Sequence, residues 1–311
     1  MFEVKNFDNW IEDTVSGKFG SGASEKVWLI NPETNEKGLF KFPKVKDKEK
    51  GIITGEYWAE KLAVEIGKLI DVECARVDIG TYRGRLGSMS YNIRFNNNYS
   101  FVEGIEFIQS KYPYYDKDVL EDIYTGNKYS IQMINNSIKG ILKLEEILEM
   151  VIFDILIGNS DRHPSNWGIK FRIVEDEYSN LIELYDGLCP LYDNGSSLCA
   201  YEDNKDIDIF FKDTMKFESL VNTKSKSAIG WEKQRPIRQF ELLKKIKENY
   251  YNLTIDFVKN ICERVNEISI KNILEQFNDN IINQNMKKLI MRFLLERRNR
   301  MLEIYNLKDE V

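Results

Sequence analysis

The sequence predicts an α+β fold in two lobes, a small β-rich lobe over residues 1–92 and a larger, mainly helical lobe over residues 93–311. In the first part, short apolar runs alternate with turns that contain Gly and Asn, which is typical of strands and hairpins. From about residue 96 onward, apolar residues recur at intervals of three and four, which indicates amphipathic helices. A chain of 311 residues is long enough to bury a core in each lobe.

The composition is that of an ordinary globular protein with an acidic balance. Hydrophobic residues make up 42% and charged residues 30%, and the formal net charge is −6. This charge argues against non-specific binding to nucleic acid or anionic lipid, so we expect no direct nucleic-acid partner. Glu149 and Asp154 interrupt the most apolar predicted helix, so we also expect no membrane span.

Cysteine usage and the N-terminal residues bear on the compartment. The cysteines form no CxxC pair, so we expect reduced thiols in a cytoplasmic protein. The N-terminal residues show neither a basic start nor a long apolar run, so we expect no signal peptide, and export by another route stays open. The four cysteines are Cys74, Cys189, Cys199 and Cys262.

A Gly-rich segment at residues 16–26 precedes an apolar strand at residues 27–30. Glycines let a backbone approach phosphate groups closely, and the hydroxyls of Ser21 and Ser24 add donors. Turns rich in Gly and Ser are common, so this segment alone is a weak signal for a nucleotide site.

A lysine in a strand and a following helix come next. Lys41 lies between apolar neighbours at residues 38–42, where it is either an edge-strand residue or the cation that reaches the phosphates of a nucleotide. The helix predicted over residues 54–70 offers Glu56 and Glu60 as partners for this lysine, and we favour Glu56 in the first turn. The alternative for Glu56 is a solvated first-turn acid. A Gly-rich hairpin, a strand lysine and a helix follow in the order of a kinase N-lobe.

A β-hairpin is predicted over residues 72–95, around the turn Arg83-Gly84. Its second strand should lead to a hinge whose backbone holds an adenine ring. We place this hinge at residues 89–92 and expect Met89 and Tyr91 to contact the nucleotide.

The most informative stretch is residues 151–170, an apolar helix followed by a polar loop and a short strand. The loop holds Asp161 and, five residues on, Asn166. In phosphotransferases a loop aspartate orients the attacking hydroxyl and accepts its proton, and an asparagine amide oxygen holds a metal ion on the phosphates. A second metal-binding aspartate should follow on a hairpin, and Asp193 fits that place.

Four strings together resemble the HipA-like family of bacterial serine/threonine kinases, closest to its short CtkA-like branch. They are SGASEKVWLI, GEYWAEKLAVEIG, GNSDRHPSNWGIK and PLYDNGSSL, and the resemblance runs from about residue 14 to about residue 245. It implies a two-lobed protein-kinase-like fold, ATP and Mg²⁺ as cofactors, and transfer of the γ-phosphate to Ser or Thr hydroxyls, with autophosphorylation.

The resemblance also implies roles for individual residues. Asp161, Lys41 and Asn166 form the catalytic set, and Asn166 with Asp193 holds Mg²⁺. Ser21 and Ser24 are the candidates for autophosphorylation. The nucleotide-binding residues expected from the motifs together are Gly20, Ser21, Gly22, Ala23, Ser24, Lys26, Lys41, Glu56, Met89, Tyr91 and His163.

The loop contains the only histidine of the chain, His163. A catalytic role and an anchoring role in the loop are both open for its imidazole, and anchoring is the commoner use of such a residue. We expect Arg162 to brace the same loop.

Three helices are predicted near the C-terminus, over residues 237–250, 255–268 and 281–307. Arg297, Arg298 and Arg300 crowd the second half of the last helix. We expect them to form a solvated helix face.

Two other functions remain as alternatives. A lipid or small-molecule kinase uses the same Asp-x4-Asn chemistry, and a nucleotide-binding pseudokinase is disfavoured because Lys41, Asp161, Asn166 and Asp193 are all present. We expect the partner to be a protein substrate and the enzyme itself to be a monomer. The longer toxins of the family carry a further subdomain ahead of the Gly-rich region, which we do not expect here. This difference argues against a toxin role and against docking of a DNA-binding antitoxin as in those toxins, while an antitoxin-type partner as such stays open.

Overall fold

The computed structural model of the chain describes residues 1–14, 25–47, 49–93, 99–175, 180–223 and 226–307. The chain divides into two compact units. The first comprises Met1–Ile93, Asn194–Phe217 and Val265–Leu295, and the second comprises Arg94–Asp193, Glu218–Arg264 and Glu296–Val311. The predicted lobes were separated by a single cut after residue 92, whereas the first unit also takes up two later segments of the chain.

Residues 1–93 form most of the strands and one long helix. The elements are β1 (Lys5–Asn6), β2 (Ile11–Glu12), β3 (Lys26–Ile30), β4 (Lys37–Lys41), β5 (Val45–Asp47), β6 (Ile52–Ile53), α1 (Glu56–Leu69), β7 (Val77–Tyr82) and β8 (Arg85–Tyr91). Six of these strands form one sheet in the order β1-β7-β8-β4-β3-β2, with a core that includes Phe7, Phe40 and Met89. The β7–β8 hairpin turns at Arg83 and Gly84, which both have positive φ as a tight hairpin turn requires.

Residues 94–193 supply a second sheet and the buried helix that precedes the polar loop. The elements are β9 (Ser100–Glu103), α2 (Gly104–Lys111), β10 (Tyr115–Asp116), β11 (Glu121–Asp122), α3 (Ile131–Ser137), α4 (Leu144–Ile157), β12 (Gly168–Glu175) and β13 (Leu181–Leu188). Strands β13, β12 and β9 are neighbours in that order. Helix α4 ends at Gly158, whose φ of 72° is in the left-handed region that glycine adopts without strain.

Residues 194–307 are mainly helical. The elements are α5 (Ile207–Lys212), α6 (Thr214–Glu218), β14 (Lys226–Ser227), β15 (Ile237–Arg238), α7 (Gln239–Arg264), α8 (Glu267–Leu274) and α9 (Gln284–Tyr305). Helix α8 packs against α1 in the first unit, and α7 packs against α4 in the second. Helix α7 is kinked at Tyr250, which lies at the end of the first of the predicted C-terminal helices.

The arginines of α9 do not form the solvated face that we expected. Arg297 is 0% exposed, and Arg298 and Arg300 are half-buried. Arg297 lies four residues after Phe293 and four residues before Met301, so it is on the apolar stripe of the helix. Among the helices within the described ranges, none combines the length and the apolar character needed to cross a membrane.

Candidate active site

In the first unit, Lys41 lies at the end of β4 and faces a buried carboxylate of α1. Its Nζ is 3.8 Å from Oε2 of Glu60, whose side chain is almost fully buried. In the sheet, Lys41 is in register with Lys26 of β3 and with Ser88 of β8. A buried carboxylate needs a cation or hydrogen-bond donors, so Glu60 and Lys41 stabilise each other's charge.

The partner of Lys41 is therefore Glu60, and the preference for Glu56 is corrected. Glu56 accepts hydrogen bonds from the backbone N–H of Lys44 at 3.1 Å and from the hydroxyls of Thr54 and Tyr201. Its Oε1 is also 3.2 Å from Nζ of Lys44. Burial raises the pKa of Glu56, but these hydrogen bonds and the Lys44 charge outweigh it and leave the pKa below its ordinary value.

Glu60 has a second contact in the first unit, to the chain that follows Asp193. Its Oε1 accepts a hydrogen bond from the backbone N–H of Asn194 at 3.0 Å. The next residue, Gly195, passes so close to α1 that a Cβ there would lie 3.1 Å from a Glu60 carboxylate oxygen. One carboxylate thus contacts both the strand lysine and the segment directly after the predicted metal-binding aspartate.

In the second unit, Asp161 lies exposed on the loop after α4. Its backbone N–H donates to Oδ1 of Asn159 at 3.1 Å. Asn159 is buried, and its own N–H and its amide group donate to the backbone and side chain of Asp154. The loop backbone at Asp161 is therefore held by the end of the helix, and the residue as a whole is exposed.

Arg162 braces this loop, as expected. It is 1% exposed, and its guanidinium binds both carboxylate oxygens of Asp154, at 2.9 and 2.8 Å. Its Nη1 donates to the carbonyl oxygens of Asn166 and Tyr192, at 2.7 Å each. A buried ion pair is stable when its remaining donors are satisfied, and Arg162 meets that condition. It ties the backbone of Asn166 to the residue that precedes Asp193.

The two predicted metal-binding residues are both fixed in this unit. Asn166 is buried in a 3-10 turn, Pro164–Asn166, and its Nδ2 donates to the Asp161 carbonyl at 2.8 Å, which leaves Oδ1 as the side-chain atom suited to a metal. Asp193 adopts a left-handed conformation with φ of 58°, which aspartate tolerates better than most residues. His163 contributes its backbone to the turn, because its carbonyl accepts from the Asn166 N–H at 2.9 Å.

Glu103 lies beside the loop at the end of β9, where sequence reasoning did not place a functional residue. Burial raises the pKa of Glu103, and a hydrogen bond with the Ser165 side chain opposes that rise. The hydroxyl of Tyr192 donates to the Ser165 carbonyl at 3.1 Å, and burial raises the pKa of Tyr192 well above its ordinary value. Glu103 and Tyr192 thus give the turn at Ser165 contacts in addition to those that Arg162 makes with the loop.

The nucleotide contacts predicted in the Gly-rich segment and at the hinge have less structural support than the residues above. Gly20, Ser21, Gly22, Ala23 and Ser24 lie outside the residues that the structure describes. Met89 is 0% exposed in the core of the first sheet, so a contact between Met89 and a nucleotide would use its backbone and stays a prediction. Tyr91 is buried too, with the Arg76 guanidinium 3.5 Å from its ring centre and its hydroxyl bonded to Asp78. Strand residues with buried side chains pack the core, and a hinge contact there would rest on backbone atoms.

The β-rich first unit with its Lys41–Glu60 pair and the braced Asp-x4-Asn loop of the second unit are features of a kinase-like fold. The sequence matches the HipA-like C-terminal domain over residues 20–269, and the chain belongs to this family. The solved structure of the Helicobacter pylori proinflammatory kinase CtkA is similar over 97% of this chain and 96% of its own, with a TM-score of 0.77 and 17% identity. HipA of Shewanella oneidensis, solved with HipB and its operator DNA, is similar over 94% of this chain and 67% of its own, with a TM-score of 0.55 and 13% identity. No curated protein matched the sequence.

These comparisons confirm the predicted family and the predicted α+β fold. Sequence reasoning missed the residues that support the loop from behind, Asp154 and Asn159. An acid inside an otherwise apolar helix is the signal that identifies Asp154, because a buried carboxylate requires a partner.

Proposed function

We propose that this protein is a kinase that transfers the γ-phosphate of Mg-ATP to Ser or Thr hydroxyls of proteins, itself included. The observation that carries the proposal is the Arg162 brace, which fixes the Asp-x4-Asn loop and the residue before Asp193 with one guanidinium. A fixed loop aspartate followed by an asparagine is the arrangement that protein kinases use. Membership of the HipA-like family supports the same activity.

The donor atoms present fit Mg²⁺. Asn166 offers an amide oxygen and Asp193 a carboxylate, and Mg²⁺ prefers such oxygen ligands. In the part of the chain that the structure describes, no group of three or more His, Cys, Asp or Glu side chains is placed to hold a metal ion. Mg²⁺ commonly binds through one or two protein groups together with substrate phosphates, which is the mode proposed here. When bound, the metal would neutralise charge on those phosphates.

The side chains divide the chemistry of transfer among them. Asp161, exposed on a braced loop, would orient the acceptor hydroxyl and take its proton as the hydroxyl oxygen attacks the γ-phosphorus. The bond between the γ-phosphorus and the bridging oxygen breaks, and ADP leaves. Lys41, held by Glu60, would contact the α- and β-phosphates. Catalysis would rest on positioning and charge rather than on a covalent intermediate.

The acceptor in this proposal is a protein, with Ser21 and Ser24 as the sites of self-modification. An antitoxin-type protein is the proposed regulatory partner, by analogy with the HipA structure that contains HipB. Small molecules and lipids are the competing acceptors, since their kinases share the same loop chemistry.

The test is transfer from radiolabelled ATP with Mg²⁺, using the purified protein alone and with a basic generic protein. We expect label on protein, and its loss by about 10³-fold or more in Asp161→Ala, because the residue that orients the hydroxyl is removed. Asp118→Ala, an exposed acid elsewhere in the same unit, is the matched control and should keep full transfer.

Three results would count against the proposal in different ways. Near-normal transfer by Asp161→Ala removes the assigned role of Asp161. ATP binding without protein label, but with label on a lipid or small molecule, replaces the proposed acceptor class. A protein that does not bind Mg-ATP is not the ATP-dependent kinase proposed here, whatever its acceptor.

A further inference from the structure

A buried arginine of the C-terminal helix contacts the end of the helix that carries the catalytic loop. The Arg297 guanidinium donates to the carbonyl of Ile155 at 2.6 Å, to the carbonyl of Val221 and to Oε1 of Gln239. It also lies 4.8 Å from the centre of the Phe240 ring. A guanidinium without exposed surface is costly to bury unless its donors are satisfied, so these contacts fix its position.

The contact with Ile155 satisfies an acceptor that α4 leaves open at its end. In a regular helix the Ile155 carbonyl accepts from the N–H four residues on, which belongs to Asn159. Here the Asn159 N–H donates to the Asp154 carbonyl at 2.9 Å, as happens when a helix ends in a left-handed glycine. The Arg297 cation therefore lies at the C-terminal end of α4, where the helix dipole favours positive charge.

Gln239, the first residue of α7, connects Arg297 to the loop. It is 1% exposed, and its Nε2 donates to the carbonyl of Asn159 and, at 3.4 Å, to that of Asp154. A guanidinium can only donate, so Arg297 requires the oxygen of the Gln239 amide to face it. The amide nitrogen must then face Asn159.

We propose that Gln239 and Arg297 are positioning residues that set the placement of Asp161 from behind the catalytic loop. The connection runs from Arg297 through the Gln239 amide to Asn159, whose Oδ1 accepts from the Asp161 N–H at 3.1 Å. All of these residues lie in the second unit. The inference rests on the proposed function, because it assigns the catalytic proton transfer to Asp161.

The sharpest variant is Gln239→Glu. A carboxylate keeps an acceptor for Arg297, and even gains charge, but it has no donor for the Asn159 carbonyl. We expect kcat to fall by about 10- to 100-fold, the usual effect of small misplacement of a catalytic group, while the Kd for Mg-ATP stays within about threefold. Arg297→Met should lower kcat similarly, and Arg297→Lys should restore part of it.

The matched control is Arg298→Met on the same helix. Arg298 donates to the carbonyl of Cys262 and to Oδ1 of Asn299, both outside the loop network, so its loss should lower stability without changing kcat. All variants are compared well below their melting temperatures, so that unfolding does not mimic a loss of activity.

Hydrogen exchange of the peptide that covers residues 158–167 gives a readout that does not need catalysis. Exchange in this peptide should be faster in Gln239→Glu and Arg297→Met than in Arg298→Met or wild type. Unchanged exchange and kcat in Gln239→Glu would overturn the inference, as would an equal loss in Arg298→Met. If the wild-type protein shows no phosphotransfer, the proposed function fails, and the exchange data still decide whether Gln239 and Arg297 hold the loop.

Discussion

Glu56 and Glu60 lie one helical turn apart on α1, yet their contacts differ. Residues four apart share a helix face, so the spacing in the sequence cannot show which acid reaches Lys41. Residues far along the chain decide it, because Tyr201 binds Glu56 and the Asn194 N–H binds Glu60. The presence of a strand lysine and a helix acid was therefore visible in the sequence, and the identity of the acid was not.

Glu60→Gln should lower kcat/KM for Mg-ATP by about tenfold or more. The variant loses the carboxylate charge that lies 3.8 Å from the Lys41 ammonium. Two opposite unit charges about 4 Å apart attract by about 4 kcal/mol at an effective dielectric constant of about 20, and a tenfold loss corresponds to about 1.4 kcal/mol. Initial-rate kinetics over a range of ATP concentrations provide the measurement. Glu56→Gln is the matched control, since it removes the half-exposed pair with Lys44 and should leave kcat/KM close to wild type. A reversed ranking of the two variants would show that Glu56 is the working partner.

Helix α4 and its loop form the element that the sequence describes best. A nearly continuous apolar run ending in a glycine predicts a buried helix, and α4 spans Leu144–Ile157. The Asp-x4-Asn spacing was also readable, because it is local. The supports of the loop were not, since Gln239 and Arg297 come from α7 and α9. The sequence did contain a signal that Arg297 is buried, because this residue lies on the apolar stripe of the helix. Counting only the charges along the helix hides that signal.

Asp154→Asn should destabilise the protein by about 3–5 kcal/mol, because it breaks one half of a buried ion pair and leaves the Arg162 charge uncompensated. Thermal unfolding should show a Tm lower by roughly 5–10 °C. Asp186→Asn is the comparison, since it removes a carboxylate from the more exposed pair with Arg172 and should change Tm little. Equal Tm values for Asp154→Asn and wild type would mean that the Asp154–Arg162 pair does not stabilise the loop.

At the scale of the whole molecule, the sequence predicted two regions of different character but not how the chain is shared between them. Patterns of period two and period 3.6 report local structure, and they carry no information on which distant segments pack together. In the first unit, the Gly55 N–H donates to the Ala200 carbonyl at 2.7 Å, and the Phe2 N–H donates to the Gln276 carbonyl at 2.7 Å. The β-rich N-terminal region is thus completed by residues that follow it by more than a hundred positions.

Residues 1–93 produced alone should therefore not fold as a stable domain. The fragment lacks α8, which packs on α1, and the segment 194–217, whose Asn194 N–H satisfies the buried Glu60 carboxylate. A small domain that loses part of its core and one hydrogen bond to a buried carboxylate has little free energy of unfolding left. Thermal melts followed by circular dichroism should show a cooperative transition for the full chain and none for the fragment. A cooperative transition in the fragment would mean that the N-terminal domain is already stable without the two later segments that pack on it.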